Sequence, residues 1–238
     1  MVSESLSFAA QNCRMLKLIS SMATRQLLAE SAALWQNKSG IEVVVESVGG
    51  VDVVKRVQAG EVFDGAVLAA EAIDKLISGG HLLAGSRVDL VRSNVAFAVK
   101  QGATAPDMSS EAALRQAIEA AQSIGYSTGP SGIALIKLFE HWGIYGNLAS
   151  RLVQAPPGVP VATLVASGEV VLGFQQLSEL MHHDGITVVG VLPESVAITT
   201  VFSAGTCAAC EQADKLRQFL AWMAAPHALA IKQRHGMY

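Results

Sequence analysis

Short apolar runs alternate with longer amphipathic stretches along most of this chain, and that rhythm constrains the fold more than any motif. Runs such as Met15–Ile19, Ile41–Glu46 and Ala66–Ala69 read as buried strands, and Met22–Asn37, Val51–Gln58 and Ala72–Ile77 as helices between them. Strands that alternate with helices of this length predict βαβ units and largely parallel sheets. The rhythm changes at two long extended segments, Val88–Lys100 and Ala197–Ser203, which bracket a middle block. That block repeats the pattern with strands at Ile124–Ser127, Leu152–Ala155 and Val170–Phe174, and helices at Glu111–Ala121 and Ser131–Trp142. Helices over Glu211–Ala224 and His227–Arg234 close the chain. The expected architecture is α/β: two Rossmann-like lobes with mixed sheets, joined by two crossover hinge segments. Lobe 1 would be discontinuous, residues 1–93 plus 204–238, and lobe 2 would take residues 94–203.

Composition narrows the function. The 238 residues are 51% hydrophobic and 16% charged, with a formal net charge of −3. Charges of both signs are interleaved, and no basic run or basic–aromatic patch points to nucleic acid. No apolar stretch reaches the length of a membrane span, since the richest one, Thr187–Ala204, is broken by Pro193 and Glu194. The opening MVSESLSFAAQNCRMLKLISS has no basic region followed by an apolar core and a cleavage site. As written, that places the protein in the cytoplasm, or in the periplasm if a leader has been removed. Three cysteines make no disulfide framework. Cys207 and Cys210 form a C-x-x-C at a helix start, which a redox or zinc site would use, yet too few ligands lie near in sequence for zinc and the neighbours of a thioredoxin-like site are missing. Met181–Gly185, MHHDG, reads as a solvated loop, with no third ligand at metal spacing. No metal and no cofactor are expected.

The turns carry the positive signal. Those at Ser20, Gly49, Ser131 and Gly158 each follow a strand and open a helix, where free amides and the helix dipole favour negative charge. Glycines at 49, 50 and 132 let backbone approach a ligand closely. Any one such turn is equally an ordinary helix cap, but four in two matching blocks point to an anion. Arg25, in the first turn of its helix, and Arg92, in the first crossover, could clamp a carboxylate or simply be solvated. Tyr126 could line a cleft or pack within its strand.

Read in order, LISSMATRQLLAE, VGGVDVVKRVQAGEVFDGAVLAA, GSRVDLVRSNVAFAVKQGA, YSTGPSGIALIKLF, VASGEVVLGFQQLSEL and FSAGT resemble the type II periplasmic-binding-protein fold. Within it, the chain is similar to the molybdate-binding-protein-like substrate-binding family, from about Leu16 to its end. The resemblance implies a ligand held by hydroxyls and amides at strand-to-helix turns. It assigns Ser20 and Ser21 from the first turn and Gly49, Gly50 and Val51 from the second. From the middle lobe come Ser131 and Gly132, the amides around Gly158 and Val159, and Gln176. Two positions depart from the molybdate binders: the second turn lacks their serine, and Gln176 replaces their tyrosine.

The function this implies is a solute-binding protein that closes two lobes on a small anion, an oxyanion such as molybdate or a small organic carboxylate, and hands it to the membrane subunit of an ABC importer. The alternative is a cytosolic isomerase of small polycarboxylates, of the aconitate-isomerase kind, on the same scaffold. That chemistry needs a base within reach of an acidic C–H, and Glu46, Asp52 and Glu179 lie near the turns.

Overall fold

A computed structural model describes residues 15–238. The amino-terminal stretch on which the leader expectation rests, and Cys13, lie outside the described residues apart from its last residues. In chain order the strands are β1 (Met15–Ser21), β2 (Glu42–Val48), β3 (Gly65–Ala69), β4 (Val88–Lys100), β5 (Ile124–Tyr126), β6 (Leu152–Gln154), β7 (Leu172–Gln176), β8 (Ile186–Val191) and β9 (Thr199–Thr206). The helices are α1 (Arg25–Ser39), α2 (Gly50–Gln58), α3 (Ala70–Ser78), α4 (Glu111–Ala120), α5 (Pro130–His141), α6 (Tyr145–Leu148), α7 (Val161–Ser167), α8 (Leu177–Leu180), α9 (Ala213–Ala224) and α10 (Leu229–Arg234). The fold is mixed α/β.

The chain forms two compact units. The first takes the described residues up to Val91 together with Phe202–Arg234, and the second takes Arg92–Val201 with His235–Tyr238. In the first unit β1 pairs in parallel with β2 and with β3, and β3 pairs antiparallel with β9. Every residue of β3 is buried, so this strand is written as an uninterrupted apolar run. Ile19, Leu68, Val53, Ile73 and Leu82 form one core cluster of this unit. Elsewhere in the unit Trp35 of α1 meets Phe219 of α9 with ring centroids 5.9 Å apart. Lys232 of α10, 8% exposed, donates to the Leu90 carbonyl at 2.7 Å and ties the end of the chain to the start of β4.

In the second unit β5 pairs in parallel with β6 and β7, while β4 runs antiparallel to both β7 and β8. The period of two in β4 explains its long apolar run: Val95, Phe97 and Val99 enter a large core cluster with Leu114, Ile124, Phe139 and Phe174. Ala96 and Ala98 pack in a separate cluster with Ala162 and Leu180. Ser110 caps α4 by accepting from the Ala113 amide at 3.2 Å.

Three details differ from expectation, the first being that both boundaries between the units fall two residues earlier, after Val91 and Val201. The last four residues group with the second unit rather than the first, because Arg92 and Tyr238 exchange two backbone hydrogen bonds of 2.7 and 3.0 Å. Strand β7 also lies two residues later than expected, so Gln175 and Gln176 are its buried end.

Candidate functional site

In the first unit, β1, β2 and β3 are mutually parallel, so their carboxyl ends share one edge of the sheet, where ligands of open α/β sheets bind. Ser20 and Ser21 end β1 there. Ser20 is fully buried and its hydroxyl meets that of Ser47 at 2.7 Å. Register makes this pair, since Ser20 lies opposite Ser47 on β2. Ser47 is thus a hydroxyl at the second strand end that the sequence reading did not single out. Ser21 is 8% exposed, and its Oγ has no hydrogen-bond partner among the described residues. It precedes the short turn Met22–Thr24 without capping it. Gly49 is the N-cap of α2, and its carbonyl accepts from Asp52 and Val53. A Cβ on Gly50 would lie 4.0 Å from that of Ser21, which brings the first two turns together. Val51 follows with its side chain 53% exposed.

In the second unit, β5, β6 and β7 likewise end at one edge. Ser131, in the first turn of α5, is 4% exposed, and its hydroxyl lies 3.0 Å from that of Ser127. Gly132 packs directly on the Ser127 carbonyl. Gly158 has a φ of +77°, a left-handed turn that suits glycine, and the turn uses the Val159 amide, which donates to the Pro156 carbonyl at 3.0 Å. That amide is therefore committed, where the sequence reading left it free. The amide of Val161 is committed too, donating to Gln175 Oε1 at 2.8 Å. Gln176 is 2% exposed; its Nε2 donates to Thr200 Oγ1 at 2.7 Å, and its Oε1 has no partner among the described residues. Tyr126 is half-buried and packs against the core cluster of its unit. Arg92 has an exposed side chain, and its backbone holds Tyr238.

The three acids separate clearly. Glu46 is bound to Arg56, with one contact of 2.5 Å, and the guanidinium holds its carboxyl below the usual range. Asp52 lies in the first turn of α2. Glu179 on α8 differs: burial pushes it up to about 7, against the opposing effect of a hydrogen bond from Gln175 Nε2 at 2.8 Å. The residue keeps some solvent contact while its carboxyl is packed round by protein. Gln175 thus joins Glu179 to the start of α7. A carboxyl that titrates near neutrality can both take and give a proton.

The remaining candidates are structural. Cys207 is buried at the end of β9, and burial pushes its thiol up to about 12. Cys210 donates to Asp64 Oδ1 at 3.3 Å, and its thiol is raised to about 11. Both stay protonated at neutral pH, so neither supplies a reactive thiolate. His183 bonds to Thr163 Oγ1 at 3.2 Å, and His182 faces His235 at 3.3 Å. No group of three metal-ligating side chains occurs among the described residues. No helix among them is long and apolar enough to cross a membrane.

Residues 16–238 match the family profile described as bacterial extracellular solute-binding protein. The aconitate isomerase of a Pseudomonas species is 31% identical over 235 residues, a match covering 96% of this chain and 89% of that protein. The periplasmic molybdate-binding protein of Azotobacter vinelandii superposes with a TM-score of 0.79 at 22% identity, covering 94% of this chain and 98% of that one. PEB3, a Campylobacter jejuni protein solved with L-phospholactate, gives a TM-score of 0.73 at 14% identity, covering 93% and 98%.

Proposed function

Because this chain belongs to the family of bacterial extracellular solute-binding proteins, we propose that it captures a small anion at the carboxyl ends of its strands. One observation carries the reading. Among the described residues, four of the five buried side-chain polar atoms without a partner belong to Ser21, Ser93, Gln176 and Ser178, at or beside those strand ends. Buried polar atoms are nearly always paired, so a cluster of open ones marks where a partner is missing. Hydroxyls, Gly50 and Gly132 backbone, and the amino ends of α2 and α5 can hold negative charge without a lysine for each charge. Ser20, Ser21, Gly49, Gly50 and Val51 act in the first unit; Ser131, Gly132 and Gln176 act in the second, with the Gly158 turn shaping its edge. The protein works outside the cytoplasmic membrane and delivers its ligand to the membrane subunit of an ABC importer.

Thermal shifts with molybdate, tungstate, sulfate, phosphate, citrate and aconitate test this, since a ligand at a hundred times its Kd stabilises by about 2.7 kcal/mol. With the ligand so found, Ser21→Ala and Ser131→Ala are each expected to weaken binding about tenfold by calorimetry, the worth of one hydrogen bond to a charged group. Unchanged affinity in both variants would remove these serines from the site.

A second reading is favoured by Glu179 and by the likeness to an aconitate isomerase. Moving the double bond along the three-carbon backbone of aconitate needs one proton removed and one returned, and Glu179 titrates where it can do both. Interconversion of cis- and trans-aconitate, followed by NMR, is the direct assay. On this reading Glu179→Gln abolishes turnover while aconitate affinity survives.

A further inference from the structure

Three of the open polar atoms lie in the second unit and form a set of their own. Ser93, Gln176 and Ser178 are 0%, 2% and 6% exposed, and Ser93 Oγ, Gln176 Oε1 and Ser178 Oγ lack partners among the described residues. Strand register relates Ser93 to Gln176, and Ser178 follows Gln176 by two residues in α8. Strands β4 and β7 run antiparallel with Val95 opposite Gln176, and Ser93 and Ser178 each stand two residues beyond that pair. Residues opposite each other in a ladder, and residues two apart on a strand, point to the same face, so Ser93 and Gln176 share one. Gln176 is held in place by its bond to Thr200, which leaves Oε1 as the open end of the amide.

Leaving a neutral polar group buried and unpaired costs about 1–3 kcal/mol, so three together imply a partner that arrives from outside. The chemistry of the set describes that partner. The two hydroxyls can donate or accept, and the amide oxygen only accepts. A fully ionised inorganic oxyanion brings acceptors alone and would set an oxygen against Gln176 Oε1. A hydroxyl arm of an organic acid, or a carboxyl arm bound in its protonated form, brings an O–H as well as oxygen acceptors, which matches all three groups.

We propose that Ser93, Gln176 and Ser178 form a neutral subsite for a second oxygen-bearing arm of the ligand. This rests on the anion reading above and narrows it: the ligand is an organic acid with at least two polar arms, one anionic at the helix mouths and one read here. Ser93 and Ser178 are then specificity-determining residues.

Calorimetry with citrate, tricarballylate, acetate and molybdate tests the assignment on the wild type, on Ser93→Ala, on Ser178→Ala and on the double variant. The melting midpoint of each unliganded variant serves as the folding control, and the single variants stand in if the double one does not fold. The wild type is expected to bind citrate or tricarballylate, and the double variant to bind it at least tenfold more weakly while acetate or molybdate affinity changes less than twofold. Equal losses for every ligand, or no loss for the many-armed acids, overturn the subsite. Binding of molybdate alone by the wild type also overturns it and leaves the anion reading standing. Binding of none of the four, nor of the wider anion panel above, overturns the anion reading and the subsite with it.

Discussion

Replacing Gly132 by alanine is expected to be the most damaging single-methyl change in the second unit. A Cβ built there would sit 1.8 Å from the Ser127 carbonyl oxygen and 2.8 Å from its carbon, far inside any contact that real atoms make. The obstacle is backbone, so no side-chain rotation relieves it. Either α5 moves away from the end of β5 or the turn at Ser127 reshapes, and both disturb the Ser127–Ser131 hydroxyl pair. Overpacking a well-filled site costs typically 1–3 kcal/mol, and this clash belongs at or above the upper end, about 3 kcal/mol or more. For a chain of this length that lowers the thermal midpoint by roughly 6–12 °C. Gly129→Ala supplies the control. Its Cβ would meet only Ser127 Oγ at 3.8 Å, and its φ of −82° is open to any residue. It should therefore stay within about 1 kcal/mol of the wild type. Urea and thermal denaturation of the two variants side by side decide the matter; equal midpoints would show that the turn yields freely and that the close approach is not a constraint.

That glycine also shows what the sequence could and could not disclose. Gly132 stood out because small residues crowd the opening of an otherwise apolar helix, but its reason, a carbonyl five residues earlier in the chain, belongs to the packed turn. The βα rhythm was readable because strands buried on both faces leave continuous apolar runs, and Val88–Lys100 is β4 to the residue. Strand β7 begins and ends two residues later than its apolar run, Val170–Phe174, because its end is polar. Gln175 and Gln176 are polar and buried together, one tied to Val161 and the other to Thr200, and no local pattern announces partners 14 and 24 residues away. Ser93 was hidden for the opposite reason: one serine inside a 13-residue strand of mostly apolar residues carries no signal until register puts it on the same face as Gln176. Ser47 became visible only through its pairing with Ser20. Turns that open helices are written in the sequence; polar groups that meet across a sheet are set by register, and register is a property of the fold.

Glu179 gives the second large effect, and its sign follows from linkage. Burial raises its carboxyl from an ordinary 4.5 to about 7 in the folded protein. Below pH 4.5 the folded and unfolded chains are both protonated at this site and nothing is gained or lost. Between 4.5 and 7 the folded chain holds a proton that the unfolded chain releases, so stability falls as pH rises through this window. Above 7 the folded protein carries the full cost of a buried carboxylate. The shift corresponds to about 3 kcal/mol as an upper bound, and partial solvent contact brings the expected cost to about 1–2 kcal/mol. Glu179→Gln keeps an oxygen to accept from Gln175 and removes the charge. The variant should match the wild type near pH 4.5 and exceed it by that amount at pH 8, with the difference opening across the window between. Denaturant midpoints at several pH values measure it, and a difference that does not change with pH would mean that the carboxyl is not held near neutrality. The same group links stability to chemistry. A fold that keeps a destabilising acid beside its strand ends gives up stability where a proton carrier would be useful, as the isomerase reading requires. If Glu179 acts as the base, kcat/KM for aconitate should rise with pH as the carboxyl ionises near 7, the same range in which the stability advantage of Glu179→Gln appears.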